Sequence, residues 1–434
     1  MADAAIPGLA ARETARVLLG EVLISRRRLD EVFSAAVAPL PPRDRAFARL
    51  LVATVLRRLG QIDAALAARL ERPLSKKNRW VQDVLRLGAA QLLFIGTSAH
   101  AAVACAVSQC EGAPPLKGLV NAVLRRIASD GAALTQAQDA ARLNTPAWLW
   151  QSWEEAHGAA EARAIAEVHL GEPPRDLTVA REPSKWADRL GARQLPWASL
   201  RIDRPTGAVE GLPGYAEGAW WVQDAAAALP ATLLLDAHTG AGTRVLDLCA
   251  APGGKTAQLA AAGARVTALD RAPGRIELLG TNLRRLKLDA EVVTADAATW
   301  RPPEPYPAVL LDAPCTSTGT VRRHPDILRL KRAGDVARMS GVQDKLLDAA
   351  AAMLAPGGTL VYCVCSLEPE ECEPRIARLL DARVGLRRAP ISAAELGGHG
   401  ELLTAAGDLR TLPCHLAGDG GLDGFYAARL RRET

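Results

Sequence analysis

The run Asp247-Leu248-Cys249-Ala250-Ala251-Pro252-Gly253-Gly254-Lys255-Thr256 decides the fold. It ends a β-branched apolar stretch, Thr243 to Cys249 (TRVLDLC), and opens an Ala-rich helical one. Glycines between a strand and a helix let the backbone approach a ligand closely, and open α/β sheets bind ligands at the carboxyl ends of their strands. The run lacks the phosphate-loop spacing GxxxxGK[ST], and its glycines do not fit GxGxxG. Triphosphate and dinucleotide sites therefore lose ground.

Downstream the texture alternates. Ala264 to Asp270 (ARVTALD) is followed by a helix through Leu286, then come Ala290 to Asp296 (AEVVTAD) and Ala308 to Asp312 (AVLLD). A helix around Val336 to Leu354, the turn Ala355-Pro356-Gly357-Gly358 and a strand Thr359 to Cys365 complete the pattern. Strand and helix in turn predict a parallel, doubly wound, Rossmann-like sheet. Asp270 closes the second strand, where a carboxylate accepts hydrogen bonds from a ribose diol. Asp296 closes the third, placed for an adenine edge, and Asp312 closes the fourth. A single Asp at a strand end is ordinarily a cap or turn former. Three around a Gly turn favour a nucleoside ligand without a phosphate cradle, and S-adenosylmethionine fits.

Upstream, from Ala11 to about Ala128, apolar residues recur at three- and four-residue spacing in ARVLLGEVL, FARLLVATVLRRL and WVQDVLRLGAAQLLF. Prolines at 39–42, Pro73 and Pro114-Pro115 break the pattern into four or more short helices, an all-α bundle. Residues 131 to about 215 change character, with many prolines and five of the nine tryptophans. The expected division is a helical domain over 1–130, a connecting, RNA-binding subdomain over 131–217 and the α/β domain over 218–434. A length of 434 residues agrees with two or three domains.

Composition excludes several classes. Hydrophobic residues at 49% and charged ones at 23% are ordinary globular usage, far from the disordered corner. The net charge is +5, but residues 1–135 hold 19 Lys+Arg against 11 Asp+Glu, so the basic character lies in the N-terminal third and favours a polyanionic partner. A solvated helical surface such as Arg26-Arg27-Arg28 explains the same charge equally well. The segment MADAAIPGLAARETAR has no signal-peptide core, and no run of 18 apolar residues occurs, so a soluble cytoplasmic protein is expected. Eight cysteines without a CxxC pair and seven scattered histidines give neither a disulfide framework nor a metal ligand set.

Any special cysteine should then be a reactive one. The fourth strand runs into Asp312-Ala313-Pro314-Cys315-Thr316-Ser317-Thr318-Gly319, and the last parallel strand ends Tyr362-Cys363-Val364-Cys365-Ser366. Parallel strands bring both cysteine segments to the edge that carries the Asp residues. Cys363 and Cys365 share one face of a regular strand, so spacing alone does not choose between them. Cys249, Cys105, Cys110 and Cys414 are expected to pack as small hydrophobes.

DLCAAPGGKT, DAPCTSTG followed by RRHPDI, the Cys365-Ser366 turn with Pro369-Glu370-Glu371, and Asp423-Gly424-Phe425 together closely resemble the RNA cytosine-C5 methyltransferases. GLVNAVLRRI at Gly118 to Ile127 looks like the helical RNA-binding domain related to the antitermination factor NusB. The combination resembles the bacterial 16S ribosomal RNA methyltransferases of the RsmB (Sun/Fmu) type over nearly the whole chain.

The resemblance implies an enzyme with S-adenosylmethionine as cofactor and RNA as partner, with Cys365 as nucleophile and Cys315 assisting release. Carbon 5 of cytosine is too weakly nucleophilic to take a methyl group unaided, so a thiolate first adds at carbon 6. Asp312 is placed for the cytosine N3/N4 edge. The resemblance also implies a cofactor site of Cys249, Ala250, Ala251, Pro252, Gly253, Gly254, Lys255, Asp270, Arg275, Asp296 and Asp312. Arg322, Arg323 and His324 are expected to touch RNA; cations such as Arg322, Arg323 or Lys255 near the nucleophile would favour its thiolate. A monomer without metal or membrane attachment is expected.

Two departures stand out. Cys363-Val364 replaces the family's usual Ala-Thr pair and Cys372 its usual Asn, either of which would raise sensitivity to oxidation. Arg175-Asp176-Leu177-Thr178 stands where relatives commonly have an Arg-x-Asn element that touches RNA. The competing readings are the same chemistry on tRNA or 23S rRNA, a DNA cytosine methyltransferase with its nucleophile in the Pro-Cys motif, and a non-catalytic NusB-like assembly factor.

Overall fold

The computed structural model describes residues 7–197, 199–203, 207–237 and 242–434. Residues 1–6, part of the segment searched for a leader, and 204–206 of the expected connecting subdomain lie outside the described residues. The chain divides into two compact units, Met1–Gly171 with Val321–Lys331, and Glu172–Thr320 with Arg332–Thr434.

The first unit is helical: α1 (Leu9–Leu23), α2 (Leu29–Val37), α3 (Pro42–Arg57), α4 (Leu59–Ala67), α5 (Arg79–Ala90), α6 (Ala99–Ser108), α7 (Pro114–Gln136), α8 (Ala140–Asn144), α9 (Ala147–His157) and α10 (Ala159–Val168). Pro42 and Pro114 begin α3 and α7, where the missing N–H is no loss and the fixed φ suits a helix. The three- and four-residue apolar spacing becomes one core: Leu18, Leu51, Val55, Ile62, Val84 and Leu124 are fully buried. The unit does not stop at 130. Helices α8 to α10 belong to it, with Trp153 and Ile165 buried.

The second unit carries two sheets. The smaller is antiparallel, in the order β2 (Arg193–Gln194), β3 (Ser199–Ile202), β1 (Arg175–Val179), β4 (Trp220–Val222). Trp186 and Trp220 pack on Leu177 and Leu200, and Trp186 is one of the five tryptophans of the segment 131–215. The larger sheet holds β5 (Arg244–Leu248), β6 (Arg265–Asp270), β7 (Glu291–Thr294), β8 (Tyr306–Asp312), β9 (Leu354–Val364), β10 (Leu386–Arg388), β11 (Leu409–Thr411) and β12 (Phe425–Arg432), in the order β10-β12-β9-β8-β5-β6-β7 with β11 on β12.

Helices α11 (Pro183–Leu190), α12 (Ala225–Ala237), α13 (Gly254–Ala261) and α14 (Pro273–Leu286) precede the excursion that gives α15 (Ile327–Leu330) to the first unit. The chain returns for α16 (Ala333–Met353) and α17 (Glu373–Ala382). Strands β5 to β9 are parallel, as the alternation predicts, but β12 runs antiparallel to β9, and β10 and β11 antiparallel to β12. The sheet is mixed because a chain entering from the Asp423 turn reaches β9 from the opposite end. Register sets Leu248 beside Leu311 and Asp312 beside Cys363, so the carboxyl ends of β5, β6, β8 and β9 meet at one edge.

Candidate active site

The turn after β5 is shaped by its backbone. Cys249 takes φ +61° and Gly253 φ +100°, and a Cβ on Gly253 would meet Leu279 at 3.1 Å, so glycine fits there best. Ala250 N–H donates to the Leu269 carbonyl at 3.0 Å, and Ala251 N–H reaches Asp270 Oδ2 at 3.3 Å. Asp270, 2% exposed, also accepts from Ala272 N–H at 3.1 Å and sits 3.4 Å from Arg275 Nη1, while Arg275 Nη2 donates to the Ala251 carbonyl.

The residues present fit S-adenosylmethionine. Asp270 closes its strand beside the glycine turn, and buried Asp247 has one oxygen, Oδ1, without a partner among the described residues, while Oδ2 takes the Thr256 hydroxyl at 2.6 Å. Burial, above all, raises the Asp247 carboxyl to about 7; the Thr256 hydrogen bond opposes this and nearby Asp312 adds to it. Asp296 lies exposed beyond β7, its carboxylate accepting Ala298 N–H at 2.9 Å in a turn. Burial, above all, pushes the Cys249 thiol up to about 12.

Lys255, at the start of α13, turns back to Asp312, with Nζ 2.8 Å from Oδ2 and 5.0 Å above the Phe425 ring. Asp312 Oδ1 accepts the Cys363 thiol at 3.5 Å. Beyond the ends of β8 and β9 the sulfurs of Cys315 and Cys365 lie 3.5 Å apart. The Cys315 S–H as donor lowers the Cys365 thiol below its ordinary value; burial and Asp312 oppose this, and the Ser317 hydroxyl and Lys255 reinforce it. Cys315 moves the other way, raised first by its bond to Cys365 and then by burial. The two shifts oppose each other, which favours the proton on Cys315 over Cys365 within the pair. Cys363 is fully buried, and burial and Asp312 raise its thiol. Cys372, also buried, is pushed up to about 12 by burial.

Three supports were not legible as such. Glu371 and Gln343 bond the turn that carries Cys315, and Arg410 donates to the carbonyls of Ser366 and Leu367 at 2.8 and 2.7 Å. Their only signal was the Pro369-Glu370-Glu371 run. Among the described residues no group of three or more His, Cys, Asp or Glu is arranged to hold a metal ion, and no helix is long and apolar enough to cross a membrane.

RRHPDI serves the helical unit. Arg57 donates to the Arg322 carbonyl at 2.9 Å, His324 Nδ1 lies 3.1 Å from Asp30, and Asp326 accepts Leu29 N–H at 3.1 Å at the start of α2. Arg322, expected to touch RNA, is buried in the structure, 1% exposed. Arg323 and His324 are half-buried. Asp176, in place of an RNA-touching element, is buried in a two-point pair with Arg201 at 2.7 Å on each oxygen.

A mixed α/β sheet with a glycine turn, strand-end carboxylates and two apposed thiols defines a methyltransferase, whose class uses S-adenosylmethionine as methyl donor. Residues 232–431 match the family described as 16S rRNA methyltransferase RsmB/F, and residues 9–129 the NusB family. A Vibrio cholerae protein named Ribosomal RNA small subunit methyltransferase B is 34% identical, over 97% of each chain. One of the same name from Pseudomonas putida is 36% identical over 95% of this chain and 96% of its own. The crystal structure of PH0851 has the same fold, with a TM-score of 0.77, 22% identity and 99% of each chain covered. The chain belongs to the RsmB/F family of 16S rRNA methyltransferases.

Proposed function

We propose that this chain methylates carbon 5 of a cytosine in 16S rRNA through a covalent bond between Cys365 and carbon 6. The observation that carries the reading is the 3.5 Å separation of the Cys315 and Cys365 sulfurs at the carboxyl ends of β8 and β9. Cys249 to Lys255, Asp270, Arg275, Asp296 and Asp312 would hold S-adenosylmethionine, which supplies an electrophilic methyl group.

The Cys365 thiolate adds to carbon 6, and the electron pair it pushes into the ring makes carbon 5 nucleophilic. Asp312, braced by Lys255, would meet the polar edge of the base and steady the proton that N3 takes from solvent as charge builds there. Forming the thioether removes the thiolate, the main cause holding Cys315 protonated. Cys315 can then release its own proton to solvent and, as thiolate, take the carbon-5 proton; the electron pair left at carbon 5 expels Cys365 as thiolate and the N3 proton returns to solvent. The base reaches the site unstacked. One chain supplies every group named, which supports a monomer, and an rRNA substrate supports a cytoplasmic setting.

The test is bisulfite sequencing of total RNA from a deletion strain complemented with wild type or Cys365→Ala. One 16S cytosine should lose methylation, recovered only with wild type. Loss in tRNA or 23S rRNA instead would redirect the substrate, and recovery with Cys365→Ala would remove the mechanism.

A further inference from the structure

Three segments far apart in sequence converge on one carboxylate. Glu371, in the turn Pro369–Glu371, is fully buried. Its Oε1 accepts the Thr316 N–H and the Gln343 amide of α16, each at 3.0 Å; its Oε2 accepts the Ser366 hydroxyl at 2.5 Å and the Thr316 hydroxyl. All are neutral donors. Burying a carboxylate among neutral groups is costly unless its acceptors are filled, so this arrangement is specific to an acceptor-only side chain.

Thr316 directly follows Cys315, and Ser366 directly follows Cys365. The same Gln343 amide donates to the carbonyl of Pro314, the residue before Cys315, at 3.0 Å. One carboxylate thus grips both cysteine-bearing turns, while the Tyr362 hydroxyl of β9 donates to the Glu371 carbonyl at 2.7 Å and fixes the grip to the sheet.

We propose that Glu371 is a positioning residue for methyl transfer: by drawing Thr316 and Ser366 onto one carboxylate it holds the Cys315 thiol within hydrogen-bonding reach of the Cys365 thiolate. This rests on the reading of Cys365 as nucleophile. Glutamine keeps the shape of Glu371 but turns an amide toward groups that all donate. Aspartate is too short to reach both turns.

The test uses the full chain, S-adenosylmethionine and 16S rRNA transcribed with cytidine or 5-fluorocytidine. Glu371→Gln should lower kcat about 100-fold, the scale of a small misplacement of reacting groups, with cofactor affinity by calorimetry unchanged. It should also shift the pH of half-maximal Cys365 alkylation by iodoacetamide upward and slow adduct formation with the fluorinated RNA. Thr316→Val, which removes one donor, should move both readouts the same way, and Thr316→Ser should recover what the valine loses. If Glu371→Gln does not fold, the Thr316 pair carries the same test. Folded Glu371→Gln or Thr316→Val enzyme with wild-type kcat and alkylation pH overturns the proposal while Cys365→Ala remains inactive. An active, adduct-forming Cys365→Ala overturns the underlying reading, and the clasp with it.

Discussion

Gly319 and Gly424 cross so closely that a Cβ on Gly319 would stand 1.9 Å from the Gly424 carbonyl oxygen. Gly424 N–H donates to the Gly319 carbonyl at 2.8 Å, and Gly319 N–H donates to the Cys365 carbonyl at 3.1 Å. The turn after Cys315, the end of β9 and the entry to β12 are therefore one packed knot. Gly319→Ala must push backbone, not a flexible side chain. It should cost about 1–3 kcal/mol in urea unfolding and reduce methylation further than that loss explains.

Asp247 gives stability a pH dependence. Its folded pKa is raised to about 7, so its contribution is fully present below the unfolded carboxyl value near 4 and is lost as pH rises through 7. A shift of this size corresponds to about 4 kcal/mol. Asp247→Asn keeps an oxygen for the Thr256 hydroxyl but does not ionise. Unfolding by urea from pH 4 to 8 should show the wild type losing stability relative to the variant; parallel curves would contradict this.

The buried Asp176–Arg201 pair holds the small sheet. Both side chains are fully inaccessible, and Asp176 also accepts Ala225 N–H at 3.1 Å. Asp176→Ala should cost about 3–5 kcal/mol by stranding the guanidinium, and adding Arg201→Met should recover part of it. Thermal melting checks both.

Thiol reactivity should follow environment rather than number. Cys365 should react with iodoacetamide at a pH below the ordinary thiol range of about 8.5, while Cys363 and Cys372 stay unmodified in the folded chain. Cys315→Ala removes the S–H donor and should move the Cys365 profile upward. Mass spectrometry of alkylated peptides reads both.

Much of the fold was legible because it is local. The β5 turn, the alternation to β9 and the proline starts of α3 and α7 depend on neighbours in sequence. So did the convergence of the cysteine turns, once the strands were read as parallel. What was hidden depends on long-range pairing. The antiparallel approach of β12, the membership of α8 to α10 and of Val321–Lys331 in the helical unit, and the burial of Arg322 have no periodicity to reveal them. The contrast between Cys365 and Cys363 depends on the apposed Cys315, and the setting of Glu371 on donors from positions 316, 343 and 366.

The most direct measurement is to trap the enzyme on 5-fluorocytidine-containing 16S rRNA with S-adenosylmethionine, digest it and locate the nucleotide-bearing cysteine by mass spectrometry. The account predicts the adduct on Cys365, absent in Cys365→Ala, and accumulation of an adduct on ordinary RNA in Cys315→Ala. An adduct on Cys315, or methylation by Cys365→Ala, would contradict it.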